Sequence, residues 1–146
     1  MQQSEAGRVR QNTSPQQNLK IDHQIQQNLR QYTGSNRTDI ENRIKELDKE
    51  WDIERTLELN AATLAFTGTL LSVFVNKRWL IVPAVVTAFL VQHAIQGWCP
   101  PLPLFRKLGI RTRPEIDKEK YALKAMRGDF IETTNNPDKA WEAVQQ

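Results

Sequence analysis

Cys99, the single cysteine of this 146-residue chain, is the residue best suited to covalent chemistry. It lies between Trp98 and Pro100, directly after an uncharged apolar stretch, where a soluble sulfur carrier or redox partner could reach the thiol. A helix C-terminus at this point would raise the pKa of the thiol unless Arg106 or Lys107 compensates. With no second cysteine for an intramolecular disulfide, two interpretations stay open, a reactive thiol and a packed interface residue.

Polar residues form a second candidate group, near one end of the two most apolar stretches of the chain. A histidine inside a membrane can ligate haem or a chlorophyll-type pigment or line a proton path. The alternative is that these side chains hydrogen-bond across two helices and fix their packing. This predicted polar cluster consists of Glu58, Asn60, Gln92, His93 and Gln96.

No catalytic motif accompanies these residues. The sequence has no Gly-rich phosphate loop, no paired-carboxylate spacing and no Ser/His/Asp arrangement, and His23 stands alone in a Gln-rich segment. We therefore predict a non-enzymatic protein with no catalytic residue, no metal and no cofactor.

Two apolar segments of 19 residues, Leu57–Val75 and Trp79–Gly97, must position these side chains. As helices they would be roughly 28 Å long, close to the hydrocarbon core of a bilayer at about 30 Å. Trp79 and Trp98 bracket the second segment, where interfacial aromatic residues are expected. The overall mean hydropathy of −0.59 averages this apolar middle with charged flanks. The pattern predicts two membrane crossings, with a buried hairpin of a soluble protein as the alternative.

Small residues recur four apart in both segments, which allows helix backbones to approach closely. The sequence leaves open whether they pack within one hairpin or between two copies. The predicted packing residues are Ala61, Ala65, Gly68, Ser72, Ala84 and Ala88.

Basic residues predict the orientation. Only two basic residues, Lys77 and Arg78, lie between the two apolar segments, whereas many lie just before the first segment and just after the second. The positive-inside rule therefore places both termini in the cytoplasm. Residues 1–18 lack an apolar core, so we expect the hairpin to act as its own insertion signal.

The net charge of +3 does not indicate nucleic-acid binding, because the basic residues do not cluster with aromatic side chains that could stack on bases or with a known nucleic-acid-binding motif. The residues expected at the membrane surface are Arg106, Lys107, Arg111, Arg113, Lys118, Lys120 and Lys124.

Capping boxes predict cytoplasmic helices at Ser14/Gln17, Thr38/Glu41 and Thr112/Glu115. The predicted helices cover Pro15–Tyr32, Asp39–Glu54 and Pro114–Arg127. Because no Gly or Pro follows Asp39 before the first apolar segment, the second of these helices is predicted to continue into the membrane. The chain is thus divided into a disordered arm (1–14), a cytoplasmic helical region (15–55), a transmembrane hairpin (56–99), a Pro-rich turn with a basic amphipathic helix (100–131) and a tail with a short helix (132–146).

Apolar stripes on these helices have two interpretations each. The stripe Ile40, Ile44, Leu47 and Trp51 either packs against the preceding helix or docks another protein. The stripe Ile116, Leu123, Met126 and Phe130 either lies on an anionic membrane surface or packs inside the cytoplasmic part.

The residues Gly97-Trp98-Cys99-Pro100, with Leu108-Gly109-Ile110 and Thr112 after them, resemble the YgaP-like inner-membrane domain family over about residues 56–113. The resemblance implies a small two-helix hairpin in the bacterial inner membrane, able to associate with itself. Some members carry a rhodanese domain with sulfurtransferase activity, which this sequence lacks. That activity is therefore not implied for this chain.

These observations predict an all-α protein of the bacterial inner membrane, with a transmembrane helical hairpin and amphipathic cytoplasmic helices on both sides. We expect a non-enzymatic accessory or scaffolding subunit that contacts the lipid bilayer and, through its cytoplasmic helices, a larger membrane complex. The alternative function is a thiol-dependent sulfur-handling or small-anion membrane protein that uses Cys99.

Overall fold

The computed structural model describes residues 5–131, 133 and 136–145, and within them every regular element is a helix. The predicted all-α class is therefore confirmed. A 3₁₀ turn over Lys77–Leu80 connects the fourth and fifth α-helices. In chain order the α-helices are α1 (Glu5–Gln11), α2 (Pro15–Gln31), α3 (Arg37–Lys49), α4 (Ile53–Phe74), α5 (Ile81–Gln96), α6 (Leu102–Lys107), α7 (Arg113–Arg127) and α8 (Pro137–Gln145).

The chain divides into two compact units, each built from two separate stretches of sequence. Unit 1 comprises Met1–Ile21 and Trp51–Arg113, and unit 2 comprises Asp22–Glu50 and Pro114–Gln146. Unit 1 thus contains both apolar helices, α4 and α5, whereas unit 2 contains α3, α8 and most of α7.

The start of α2 agrees with the sequence pattern. The Ser14 hydroxyl accepts a hydrogen bond from the backbone N–H of Gln17 at 3.3 Å, and Pro15 occupies the first helical position. This cap satisfies one of the backbone donors that every helix N-terminus leaves without an intrahelical partner. After α2, Gly34 adopts φ +81°, a left-handed conformation that favours glycine and ends the helix.

The predicted disordered arm over residues 1–14 is wrong for residues 5–11, which form α1. Val9 is fully buried and belongs to the core of unit 1 with Ile53 and Leu102. The Asn12 amide also donates to the backbone oxygen of Gln96 at 2.9 Å. One buried valine and this hydrogen bond help to order a segment that has few large apolar residues. Residues 1–4 lie outside the described part of the chain.

The predicted continuous helix from the cytoplasmic part into the first apolar segment is also wrong. Glu50 and Asp52 have extended backbones, which end α3 and begin α4. The Asp52 carboxylate caps α4 by accepting the backbone N–H of Arg55 at 2.8 Å. The N–H of Ile53 donates to the carbonyl of Arg111 at 2.9 Å, so tertiary pairing replaces a helical hydrogen bond. The break therefore needs neither Gly nor Pro.

This break changes two predictions about α3. Trp51 does not continue the apolar stripe, because the helix ends before it, and its side chain is exposed under the guanidinium of Arg55. At the other end the cap is Asn36, whose side-chain oxygen accepts from Asp39 at 2.8 Å, and not the predicted Thr38. An asparagine two residues upstream is an equally good N-cap.

The core of unit 2 is formed by the apolar stripe of α3 and one face of α7. Three residues of α3 are buried together with Ile116 and Leu123, and Leu29 and Tyr32 pack against them. The stripe therefore packs within the chain, but its main partner is α7, and the preceding helix α2 contributes Leu29 at the edge of this core. The buried stripe residues are Ile40, Ile44 and Leu47.

Charged residues complete the packing of unit 2. Glu119 of α7 is fully buried and accepts hydrogen bonds from Arg43 at 2.9 and 3.0 Å and from the Asn28 amide at 3.2 Å. A buried carboxylate is stable only when it is paired and hydrogen-bonded. These contacts hold α7 against α2 and α3 within the unit.

Candidate functional site

The most unusual feature of unit 1 is the apolar surface of α4 and α5. Two stretches, Arg37–Phe74 and Lys77–Gln96, contain helices long and apolar enough to cross a membrane, judged by length and composition. Only 22% of the apolar window in the first and 0% of that in the second is buried. The core helix of a soluble protein would be mostly buried. These helices therefore direct their apolar side chains outward.

We call this surface the apolar belt. It consists of large apolar side chains between 36% and 80% exposed on α4, on α5 and on the turn between them. Its members are Leu59, Leu64, Phe66, Leu70, Val73, Phe74, Val75, Trp79, Leu80, Ile81, Val85, Phe89, Leu90, Val91 and Ile95. A surface with many exposed large apolar side chains marks contact with a membrane or with another protein.

Gly68 allows α4 and α5 to pack closely. A Cβ atom at this position would lie 2.7 Å from Cδ of Pro83 and 2.9 Å from Cβ of Val82. Two other predicted packing residues of α4, Ala61 and Ser72, are buried as well. A small-residue seam on α4 therefore accommodates α5, so of the two arrangements that the sequence leaves open, these residues pack within one hairpin.

The seam on α5 differs from the prediction. Ala84 and Ala88 are exposed, whereas Val82 and Val86 are half-buried. Branched side chains of α5 pack into the groove that the small residues of α4 leave, so the second helix does not need small residues. On α4 itself, Ala65 is only half-buried.

Two amides of the predicted polar cluster are hydrogen-bonded within their own helices. The Asn60 amide donates to the carbonyl of Thr56 at 2.8 Å, and the Gln92 amide donates to the side chain of Gln96 at 3.4 Å. Residues four apart are neighbours on a helix, so each amide finds a partner on its own helix.

Glu58 and His93 instead line a cavity of about 190 Å³, which we call the polar pocket. Arg8 of α1 and Glu54 at the start of α4 complete its charged lining. Neither residue was expected here, because Arg8 lies in the arm predicted to be disordered and Glu54 was assigned to the end of a cytoplasmic helix. The four-residue spacing of Glu54 and Glu58 could have indicated that both carboxylates lie on one face of α4. Gly97 could have indicated a close approach of another segment, which is α1 with Arg8.

Gly97 explains how α1 reaches this site. It has φ +70°, and a Cβ there would lie 2.5 Å from Cβ of Arg8 and 3.2 Å from the backbone nitrogen of Val9. The missing side chain thus allows α1 to pack directly on the C-terminal end of α5, with Arg8 at the rim of the polar pocket.

A second cavity, of about 200 Å³, lies beside the polar pocket and shares Leu57, Leu90 and His93 with it. We call it the apolar pocket, since among the described residues that line it only Asn60 and His93 have polar side chains, apart from the thiol of Cys99. Its other lining residues are Ala61, Leu64, Val86, Phe89, Pro100, Pro101 and Phe105.

Cys99 is packed and not presented to solvent. It is 4% exposed, within the core formed with Ile53, Leu57 and Leu102. Burial raises the pKa of the Cys99 thiol, and a backbone hydrogen bond from Leu102 lowers it only in part. Since the thiolate is the reactive form, this environment favours the packing interpretation over the reactive one.

Three of the predicted membrane-surface residues, Arg106, Arg111 and Lys124, are buried, so their assignment to the surface is wrong. The Arg106 guanidinium donates to the Thr13 hydroxyl at 3.1 Å and to the Asn18 side chain at 3.0 Å. It also donates to the carbonyl of residue 110 at 3.1 Å. The hydrogen bonds of Arg106 thus join the start of α2 to the segment that follows α6.

Lys124 plays a similar part in unit 2. Its ammonium group donates to the backbone oxygens of Ala143 at 3.2 Å and Val144 at 3.4 Å, near the C-terminal end of α8. A cation is favourable at this end of a helix. Burial and then the charge of Lys120 lower the pKa of Lys124.

The other predicted surface residues are less enclosed. Lys107 and Lys118 are exposed, and Arg113 is half-exposed. Lys120 forms an ion pair with Asp48 at 2.5 Å. Within residues 5–131, 133 and 136–145, no group of three or more His, Cys, Asp and Glu residues is arranged to hold a metal ion.

No protein-family model, curated protein or solved structure matches this chain. The resemblance of about residues 56–113 to the YgaP-like family therefore stays a prediction.

Proposed function

We propose that this chain is a small non-enzymatic membrane protein that crosses a bilayer twice through α4 and α5. We further propose that it serves as an accessory or scaffolding subunit of a larger membrane complex. The observation that carries the membrane location is the apolar belt. Each large aliphatic or aromatic side chain left in water forgoes about 1.5–3 kcal/mol of burial free energy, which a bilayer restores.

The charges support one orientation. The turn between the helices carries Lys77 and Arg78, whereas basic residues are more numerous before α4 and after α5. By the positive-inside rule both termini then lie in the cytoplasm. With the family resemblance, this orientation suits a bacterial inner membrane.

The accessory role is supported by the amount of folded chain outside the apolar helices. Unit 2 has its own core, yet several large apolar side chains of α7, α8 and their connection stay exposed. These are Tyr121, Met126, Ile131, Trp141 and Val144. Because the α3 stripe is used internally, this surface is the better candidate for contact with a partner complex.

The membrane location can be tested by placing a charge in the belt. Phe66 is 66% exposed on α4, and Leu19 is 68% exposed on α2. In a bilayer, Phe66→Arg costs about 3 kcal/mol and reduces the carbonate-resistant membrane fraction, whereas Leu19→Arg leaves that fraction unchanged. In a soluble protein, both arginines would face water, and neither would alter fractionation. Equal behaviour of the two variants would reject the membrane location.

The accessory role needs a separate test. A photo-crosslinking amino acid at Trp141 should yield one recurrent heterologous partner in intact membranes, identified by mass spectrometry. The same group at Ile44, which is buried, is the matched control and should yield none. Products that contain only this chain would reject the accessory role in favour of self-association.

A further inference from the structure

We infer that the polar pocket and the apolar pocket together form one binding site for a phospholipid with a primary ammonium head group. This inference rests on the proposed bilayer location and adds a ligand to it. It starts from the arrangement of two adjoining cavities of opposite character at one end of α4 and α5.

The two cavities adjoin each other and share part of their lining. Leu57, Leu90 and His93 contribute to both, so a ligand in one cavity touches residues that also line the other. Each cavity alone is smaller than a usual small-molecule site of about 300–1,000 Å³, whereas the two together fall within that range. A ligand that fills both must be apolar at one end and polar at the other.

The polar end carries charge of both signs. Glu54 and Glu58 supply two carboxylates and Arg8 one guanidinium, so the formal charge is −1 when His93 is neutral. This balance disfavours a purely anionic head group and favours one that includes a cation.

A primary ammonium group satisfies this balance best. It offers three N–H donors to carboxylate oxygens, which a quaternary ammonium group lacks. Glu58 is exposed and is the carboxylate that an entering ammonium group reaches first. The phosphate of the same head group brings the negative charge that suits the nearby Arg8.

The apolar end suits an acyl chain. Its lining comes from α4, α5 and the Pro100-Pro101 segment, and it includes Leu64 and Phe89 of the belt. A chain in this pocket is thus in contact with side chains that the proposed function places against lipid. The polar pocket lies at the start of α4 and the end of α5, which is head-group depth for a hairpin in a bilayer.

The test is a titration of the purified full-length protein in mild detergent, followed by native mass spectrometry. Phosphatidylethanolamine, phosphatidylcholine and phosphatidylglycerol with identical acyl chains are compared. We expect phosphatidylethanolamine to bind about tenfold more tightly than either of the others, the effect of one good charged contact. Equal binding of the three lipids, or tighter binding of phosphatidylglycerol, would overturn the inference.

Matched variants assign the effect to each pocket. Glu58→Gln should abolish the preference for phosphatidylethanolamine, whereas Glu142→Gln, an exposed carboxylate in unit 2, should preserve it. Leu64→Trp should weaken binding of all three lipids alike by filling the apolar pocket, and Val73→Trp, outside the pocket on the same helix, should not. Circular dichroism confirms that each variant is folded. If Glu58→Gln and Glu142→Gln bind the lipids alike, the head-group assignment fails.

Failure of this inference is distinguishable from failure of the proposed function. A protein that resists carbonate extraction but shows no lipid preference retains the membrane location and loses the lipid site. A protein released by carbonate loses both.

Discussion

Replacing Gly68 with alanine tests the packing of α4 against α5. The added Cβ would lie 2.7 Å from Cδ of Pro83 and 2.9 Å from Cβ of Val82. Both distances are shorter than van der Waals contact, and the proline ring is fixed to the backbone and cannot turn away. The two helices must therefore separate locally to admit one methyl group.

The expected magnitude combines two opposing terms. Overpacking a close helix contact costs about 1–3 kcal/mol. Alanine in place of glycine gains up to about 1 kcal/mol of helix propensity. The net expectation is a loss of about 1 kcal/mol, and a longer side chain at position 68 should cost more.

The assay is reversible unfolding of the purified protein in mixed detergent micelles, followed by circular dichroism. Ala62→Val is the control, because it adds bulk at an exposed position of the same helix. We expect Gly68→Ala to unfold at lower denaturant concentration than both the parent and Ala62→Val. If Gly68→Ala were as stable as the parent, or more stable, the close approach of α4 and α5 at Gly68 would be refuted.

Three further predictions follow from buried polar groups. Arg106→Ala should lower the free energy of unfolding by about 1–3 kcal/mol, because it removes the partner of the Thr13 and Asn18 side chains. The control Lys107→Ala should change it by less than about 0.5 kcal/mol. Equal losses for the two variants in chemical denaturation would contradict this prediction. Cys99 should react slowly with iodoacetamide at neutral pH and faster only above the ordinary thiol pKa, because burial raises its pKa; rapid labelling at neutral pH would revive the sulfur-handling hypothesis. The pKa of Lys124 is lowered in the folded state, so between that pKa and about 10.4 the unfolded chain binds more protons than the folded chain, and the free energy of unfolding rises with pH. Lys124→Met should remove this rise, measured as the pH dependence of thermal unfolding. An unchanged slope in the variant would count against the assignment to Lys124.

Features with a local cause were predictable from the sequence. The cap of α2 depends on Ser14, Pro15 and Gln17, which are neighbours in the chain, and it is observed where expected. The apolar segments were recognisable because a helix long enough to span a bilayer requires an uninterrupted run of apolar residues. The four-residue spacing of small residues identified Ala61, Gly68 and Ser72 of α4 as packing residues, although it did not tell whether their partner is α5 or a second copy.

Features that depend on distant residues were not predictable in this way. The burial of Arg106 requires Thr13 and Asn18, which lie about ninety positions earlier in the chain. A charged side chain is ordinarily expected at the surface, since its burial is stable only with partners that spacing does not reveal. Lys124 was misassigned for the same reason, because its partners are carbonyl groups of α8.

The polar pocket illustrates both cases. Glu58 and His93 were singled out because polar residues at the ends of apolar helices are conspicuous. Arg8 was missed because α1 has too few apolar residues to predict a helix, and its order depends on Val9 and on contact with Gly97. The polar pocket could therefore not be predicted without knowing that α1 packs against α5.

The central claim, that α4 and α5 cross a bilayer, is tested most directly by labelling with a membrane-impermeant maleimide in intact bacterial cells. The native Cys99 is buried, so its background should be low. One cysteine replaces Lys77, in the turn between the helices, and in a second variant one replaces Asn42, which is exposed on α3. We expect Lys77→Cys to be labelled in intact cells and Asn42→Cys to be labelled only after the membrane is disrupted. Protection of both positions, or equal labelling of both in intact cells, would contradict this claim.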